Sequence, residues 1–352
     1  MSRIQVGVAG LGYWGPNLVR VLSESAEFNL VCVHDVREQS LAKIASRYPG
    51  LRATTSYEEM LSLVDAVVIA TPIGTHHALS KTALNGGKHV FVEKPLTHSV
   101  ATAKDLVLTA ASQECILQAG HVFVYTQPVR HIKKMLDEKE LGEIYFISSS
   151  RVNLGLFQKD VSVIWDLAVH DFSILNYWFQ KSPVKVQATG RDCLNRGIFD
   201  VAFITADYGD GKLANVEVSW LAPTKLRRMV IAGEKRMVVY DDTSPDEKVR
   251  VFDRGVIKNE PTNFGEYNIT YRMGNMFSPY LDNREPLRLE LEQFSQSIRS
   301  GKPPEADGVS GLQVVCALEA AQKSAEQGSV AVHVEDTTRE LKALANGKSV
   351  YS

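Results

Sequence analysis

Lys94 sits in Glu93-Lys94-Pro95, directly after the apolar run His89-Val90-Phe91-Val92. An ammonium group at the end of a buried strand can hydrogen-bond a hydroxyl and stabilise the alkoxide that develops as a hydride departs. Taken alone, a lysine there also fits a solvated surface. A second cluster is Trp165-Asp166-Leu167-Ala168-Val169-His170-Asp171. On a helix, Asp166 and His170 stand at i and i+4 and share a face. A carboxylate beside an imidazole fixes its tautomer and raises its basicity, which suits a general base near neutral pH. By itself this heptapeptide favours a blander reading, a histidine satisfied at a helix start with Asp166 as the cap. His76, His77 and His121 lie near expected strand ends, but adjacent histidines on a helix cannot both face one site. No His/Cys pairing has metal-ligand spacing, so no metal is expected. No G-x-S-x-G is present, and no thiol lies beside a histidine, so hydrolase chemistry is not supported.

The elements that must position these groups begin at the first residues. Ile4 to Ala9 leads into Gly10-Leu11-Gly12-Tyr13-Trp14-Gly15-Pro16-Asn17 and then a helix-like segment. Strand, glycine turn and helix in that order cradle a dinucleotide pyrophosphate: Gly10 permits the turn, Gly12 the close approach, Gly15 the packing of helix on strand. The helix start supplies free N–H groups and a positive dipole end. A second apolar run ends at His34-Asp35, where an acidic residue can grip a ribose 2′-hydroxyl and would repel a 2′-phosphate. NAD is therefore expected over NADP, with Arg37 a weaker argument the other way. Ser56-Tyr57-Glu58-Glu59 has the form of a capping box, and Thr75 is expected to cap the next helix. Strands are expected near Asp65–Ala70, ending at Thr71-Pro72, then near Lys88–Val92 and Cys115–Ala119. This alternation predicts a doubly wound parallel sheet over residues 1–120, with its ligand along the strands' carboxyl ends. Those ends are Gly10, Asp35, Thr71, Glu93-Lys94 and Gly120-His121. Lys94 lies on that edge, which favours its chemical reading.

From residue 121 to 352 the rhythm changes. Strands follow one another with little helix between, which predicts an α+β second domain with a large, mainly antiparallel open sheet. Asp242 to Met276 resists assignment. Helices are expected from Pro286, over Val309–Glu326 and near Thr338–Ala345, and these C-terminal helices are candidates to pack back on the first domain. The 352 residues carry 44% apolar and 23% charged residues and a net charge of −2. That balance is ordinary for a globular protein and gives no attraction to nucleic acid or anionic membrane. No stretch is long and apolar enough to span a bilayer, and the N-terminus lacks a signal-peptide layout. The four cysteines are far apart, three of them in apolar runs, which fits reduced thiols in the cytoplasm.

In their order, the Gly10–Gly15 turn, Thr71-Pro72 with His76, Glu93-Lys94-Pro95, and Asp166 followed by His170 resemble the Gfo/Idh/MocA oxidoreductases over essentially the whole chain. The resemblance implies a Rossmann domain before an α/β domain whose sheet mediates homodimers or homotetramers. It implies that Lys94 and His170 lie by the nicotinamide, His170 as proton acceptor and Asp166 as the nearby carboxylate. It implies cofactor contacts from Tyr13, Trp14, Thr71, Pro72, His76 and Glu93 besides the glycines and Asp35. Gly12-Tyr13-Trp14-Gly15-Pro16-Asn17-Leu18, Gly120-His121-Val122-Phe123-Val124-Tyr125, Asn153-Leu154-Gly155 and the stretch from Asp160 to Asp171 are similar to members acting on UDP-sugars. Those members oxidise the sugar 3-hydroxyl with NAD, and the ketone then feeds amino-sugar formation. His121, Tyr125, Arg151 and Asn153 are the expected substrate contacts beside Lys94, Asp166 and His170. Val169 and Ser162 depart from that branch, where proline and often asparagine stand. The alternatives are a dehydrogenase or ketoreductase of a free sugar, inositol or deoxysugar nucleotide, and a non-catalytic NAD(H) sensor. Retention of both Lys94 and His170 argues against the sensor.

Overall fold

Short apolar runs with β-branched residues form strands buried on both faces, and the amphipathic stretches between them form the covering helices. A computed structural model describes residues 2–155, 157–158, 160–194, 196–258, 269–337 and 341. The first strands are β1 (Ile4–Ala9), β2 (Phe28–His34), β3 (Arg52–Thr54), β4 (Ala66–Ile69), β5 (His89–Glu93) and β6 (Leu117–Gly120). They form a parallel sheet in the order β3-β2-β1-β4-β5-β6. Strand order reverses between β1 and β4, the switch point where such sheets take their ligands. The intervening helices are α1 (Gly15–Ser23), α2 (Glu38–Arg47), α3 (Tyr57–Leu61), α4 (Ile73–Asn85) and α5 (Val100–Ser112). Ser56 caps α3, its hydroxyl accepting the Glu59 N–H at 3.1 Å, as the capping box predicts. Thr75 does not cap α4. Pro72 takes the cap position and the Thr75 hydroxyl donates back to Pro72 O at 2.7 Å, the usual resting place for a hydroxyl inside a first turn.

The second sheet is built from later elements: α6 (Gln127–Asp137), β7 (Ile144–Leu154), α7 (Val169–Phe179), β8 (Lys185–Arg191), β9 (Val201–Asp207), β10 (Leu213–Ser219), β11 (Leu221–Gly233), β12 (Met237–Asp241), β13 (Val249–Lys258) and β14 (Ile269–Phe277). A helical turn of π type, Ile164–Ala168, runs straight into α7. The chain closes with α8 (Pro286–Ser300), α9 (Gly308–Glu326) and β15 (Val332–His333). The nine strands follow the order β14-β13-β12-β11-β7-β10-β9-β8-β15. Only β7 and β10 pair in parallel; all other neighbours are antiparallel. The sheet is thus mainly antiparallel, as expected. Its period-2 alternation buries Ile147, Val216 and Ile204 on one face and exposes Phe146, Leu213 and Phe203 on the other.

β13 and β14 lie in the stretch that sequence left unassigned. The short helix expected near Thr338–Ala345 falls almost wholly outside the described residues. The chain divides into two units, and C-terminal helices join the first. One holds Met1–Tyr125, Arg284–Cys316 and Asp336–Ser352; the other holds Thr126–Asn283 and Ala317–Glu335. The reason is burial of an apolar stripe. On α8, Leu287, Leu291 and Phe294 share one core with Val6, Val8, Phe28 and Phe91 of the parallel sheet. Phe294 lies 6.1 Å from the Phe28 ring and 6.0 Å from Phe91. Truncating such a side chain costs roughly 3–5 kcal/mol.

Candidate active site

In the first unit the glycine turn has the form that its spacing implies. Gly10 adopts φ +93°, and a Cβ there would lie 2.5 Å from Ala70 O. A Cβ at Gly15 would lie 2.1 Å from Gly10 O, so the close packing of α1 on the turn admits no side chain. Gly12 differs: nothing lies within 4 Å of its Cβ position. Its freedom from side chain is not needed by the fold, and it leaves backbone open for a phosphate to approach. Tyr13 is 88% exposed. These features fit a dinucleotide.

Asp35 is tied directly to that turn. Its Oδ2 accepts the Leu11 N–H at 2.8 Å, and its Oδ1 accepts the Arg37 N–H at 2.9 Å and Nε–H at 3.1 Å. Burial would raise its pKa, but the bonds from Arg37 and Leu11 outweigh burial and hold the carboxyl below its usual range. It is therefore an anion at neutral pH, as a ribose acceptor must be.

Glu93, Lys94 and Pro95 end β5, and the Lys94–Pro95 peptide is cis. The Glu93 carboxyl lies against Gly120, where a Cβ would sit 3.1 Å from its Oε2. It accepts the Lys94 N–H at 3.3 Å and a bond from the Trp14 side chain, so it joins the glycine turn to the lysine segment. Burial pushes its pKa up to about 7 against the pull of Lys94. His76 is buried on α4. Its Nε2 lies 2.9 Å from Thr71 O and its Nδ1 3.0 Å from Pro95 O, while burial lowers its pKa. It links the two strand-end turns, which makes it a positioning group for Thr71-Pro72 and Lys94-Pro95. The Thr71 hydroxyl oxygen lies 2.7 Å from that of Thr75, whose own proton goes to Pro72 O, and Pro72 is exposed.

His121 follows β6 and is buried, with neither ring nitrogen partnered among the described residues. Burial, and secondarily the charge of Lys94, lower its pKa to about 4. It is neutral across the physiological range. Tyr125, an expected substrate contact, is bonded within the first unit. Its hydroxyl donates to Gln293 Oε1 at 2.7 Å and accepts the Gln118 Nε2 and Ala306 N–H groups, each at 3.3 Å. Buried completely, it knots β6, α8 and the segment before α9 together.

Sequence reasoning passed over Glu290. This α8 carboxyl is wholly buried with both oxygens unpartnered among the described residues, and burial, reinforced by Glu93, pushes its pKa well up. The available signal was a glutamate on the apolar stripe between Leu287 and Phe294.

In the second unit, Asp166 lies within the π-type turn and His170 in the first turn of α7. Asp166 Oδ2 accepts the Trp220 Nε1–H at 3.0 Å. A π-type turn widens the helix and is commonly kept where a side chain must be presented at a functional site. Asp166 is therefore fixed by a buried indole and does not act as a plain helix cap. Arg151, another expected substrate contact, is buried in an ion pair. It lies on an interior strand of the sheet, and its Nε donates to Asp171 Oδ2 at 2.8 Å, with the two side chains 5% and 1% exposed. Ser149 donates to the other oxygen at 2.7 Å. This buried pair pins α7 to β7; removing one partner of such a pair costs about 3–5 kcal/mol. Asn153 stays partly exposed beside Gly155, whose Cβ position lies 3.0 Å from Asn153 Nδ2 and 3.1 Å from Trp220 Cδ1.

Among the described residues no helix is long and apolar enough to cross a membrane. Comparison with known proteins agrees with this geometry. Residues 4–121 match a family model described as an oxidoreductase family, NAD-binding Rossmann fold, and residues 129–239 match the Gfo/Idh/MocA C-terminal domain. The chain is 26% identical over 320 residues to UDP-N-acetylglucosamine 3-dehydrogenase of Acidithiobacillus ferrooxidans, covering 90% of this chain and 96% of that protein. A solved structure of that enzyme superposes with a TM-score of 0.77 at 25% identity, over 93% of this chain and 99% of the other. Inositol 2-dehydrogenase of Rhizobium meliloti is 23% identical over 341 residues, 94% of this chain and 99% of that protein.

Proposed function

This chain belongs to the Gfo/Idh/MocA family of NAD-binding oxidoreductases, and from that premise we propose that it oxidises a sugar secondary alcohol reversibly, at C3 of a UDP-linked N-acetylhexosamine or its uronate. The observation that carries the chemistry is Lys94 at the carboxyl end of β5, framed by Glu93, His121 and the His76-bridged turns. The substrate class draws on similarity to the UDP-N-acetylglucosamine 3-dehydrogenase along nearly the whole of both chains.

NAD, when bound, supplies the hydride acceptor. Gly10, Gly12 and Gly15 would hold its pyrophosphate, Asp35 its ribose hydroxyls, and Trp14, Thr71, Pro72 and Glu93 would line its path. Lys94 donates a hydrogen bond to the substrate oxygen and stabilises negative charge there. His170 takes the hydroxyl proton, and Asp166, held by Trp220, orients that base. Neutral His121 and Asn153 are assigned hydrogen bonds to sugar hydroxyls. The product would be a 3-keto sugar suited to transamination. The exposed sheet face carrying Phe146, Leu213 and Phe203 supports assembly as a homodimer or homotetramer through that sheet. Four unbridged cysteines fit a reducing compartment, the cytoplasm.

A second reading, oxidation of inositol or a free sugar, is favoured by the similarity to inositol 2-dehydrogenase at comparable coverage. The deciding experiment incubates the purified chain with NAD and a panel of UDP-sugars, with 2-oxoglutarate as reoxidant, and follows NADH and the keto-sugar mass. Turnover of a UDP-N-acetylhexosamine or its uronate supports the first reading. Turnover of inositol or free sugars alone replaces it with the second, and none with any polyol removes both.

A further inference from the structure

The loop between β8 and β9 is folded around one buried carboxylate. Asp200, with no side-chain exposure, accepts the Cys193 and Leu194 N–H groups at 2.9 and 3.0 Å and Arg196 Nη2 at 2.6 Å. Arg196 Nη1 donates to Gln158 O at 3.0 Å. Its guanidinium lies 5.0 Å from the Phe157 ring centre and 5.6 Å from that of Trp220, and the two rings meet edge to face. Asp192, the other acid of the loop, accepts the backbone N–H groups of Arg196 and Gly197. The head group thus lies against two aromatic rings, yet the side chain remains 28% exposed. A guanidinium carries five N–H donors. Among the described residues two are used, and three remain in the same rigid plane. Trp220 connects this plane to the proposed chemistry, because the indole under Arg196 donates to Asp166.

We propose that Arg196 is a specificity-determining residue that binds an anionic oxygen group of the substrate, one indole away from Asp166. The proposal rests on the reading that Asp166 and His170 attend the reacting sugar. Its chemistry is that of a pre-organised fork: contact with two aromatic rings and two anchoring bonds have already ordered the side chain, so little freedom is lost when phosphate or carboxylate oxygens arrive. Arg151 was the expected partner for such a group, but its guanidinium is buried against Asp171. Two sources share the chemistry, the diphosphate of a nucleotide sugar and the carboxylate of a uronate.

The test titrates the NAD-loaded full chain with UDP and with glucuronate, beside their neutral counterparts uridine and glucose, for wild type, R196Q and R196K. Folding is checked by melting temperature. R196Q should weaken an anionic probe about tenfold or more, R196K should fall between, and the neutral probes should be unchanged. Loss confined to UDP identifies the diphosphate, and loss confined to glucuronate the carboxylate. Equal loss on charged and neutral probes overturns the proposal in favour of a loop clamp. Wild-type affinity in R196Q, or no affinity of the wild type for either anion, also overturns it. If R196Q does not fold, R196K decides: unchanged affinity for both anions refutes the fork. Binding is read without turnover, so loss of the dehydrogenase reading and loss of this site are separate results.

Discussion

Trp220 Nε1 donates to Asp166 Oδ2 at 3.0 Å across 54 residues of sequence. The indole is almost fully buried, so the bond fixes the carboxylate from inside the protein. Trp220→Phe keeps most of the packing and deletes the donor. A hydrogen bond to a charged group contributes about 1.5–3 kcal/mol, so kcat should fall about tenfold with little change in KM. Wild-type kcat in a folded W220F would show that Asp166 needs no such orientation.

Lys94→Ala and His170→Asn separate chemistry from cofactor binding. Loss of one positioned donor at a developing alkoxide typically lowers kcat about 10²–10³-fold. K94A should show that loss with NAD affinity retained by fluorescence titration. H170N should lose the limb of the pH–rate profile that reports the base; an unaltered profile would rule His170 out.

The glycines of the turn make opposite predictions. Gly15→Ala places a Cβ 2.1 Å from Gly10 O and should destabilise the fold, by more than about 2 kcal/mol on the scale of backbone clashes. Gly12→Ala meets open space in the protein. Its melting temperature should stay near wild type while its Kd for NAD rises. Equal NAD affinity in G12A would remove Gly12 from the phosphate site.

Glu93 gives stability a defined pH dependence. Its folded pKa is about 7, raised by burial, whereas an unfolded glutamate titrates near 4.3. The folded state therefore binds more protons between these values, and stability falls as pH rises through that window. The contribution is roughly 4 kcal/mol and levels off above pH 7. Glu290, raised in the same direction, adds to the same slope. Denaturant unfolding of wild type and Glu93→Gln at pH 5 and pH 8 should show E93Q gaining relative stability at the higher pH. A pH-independent difference would contradict the assignment.

Tyr125 should behave as structure. Tyr125→Phe removes the hydroxyl shared by Gln118, Gln293 and Ala306 and should cost about 1–3 kcal/mol, because buried partners are left unsatisfied. Sugar KM should not move. A raised KM with unchanged stability would return Tyr125 to the substrate.

The sequence by itself determined what local pattern can carry. Strand–glycine turn–helix is a contiguous signal, so Gly10, Gly12, Gly15 and the acid 20 residues on were legible, as were the alternating elements and the Ser56 cap. Lys94 and His170 were legible as residues worth testing because they end or begin such elements. Tertiary structure alone decided their company. Tyr125 meets Gln293 across 168 residues, Arg151 meets Asp171 on a different element, and α8 joins the core of β1 and β5 from the far end of the chain. Periodicity says which face of an element is apolar, but not which distant element covers it. A side chain's role depends on that cover: it turned Arg151 and Tyr125 inward and left the Arg196 guanidinium partly exposed against two aromatic rings.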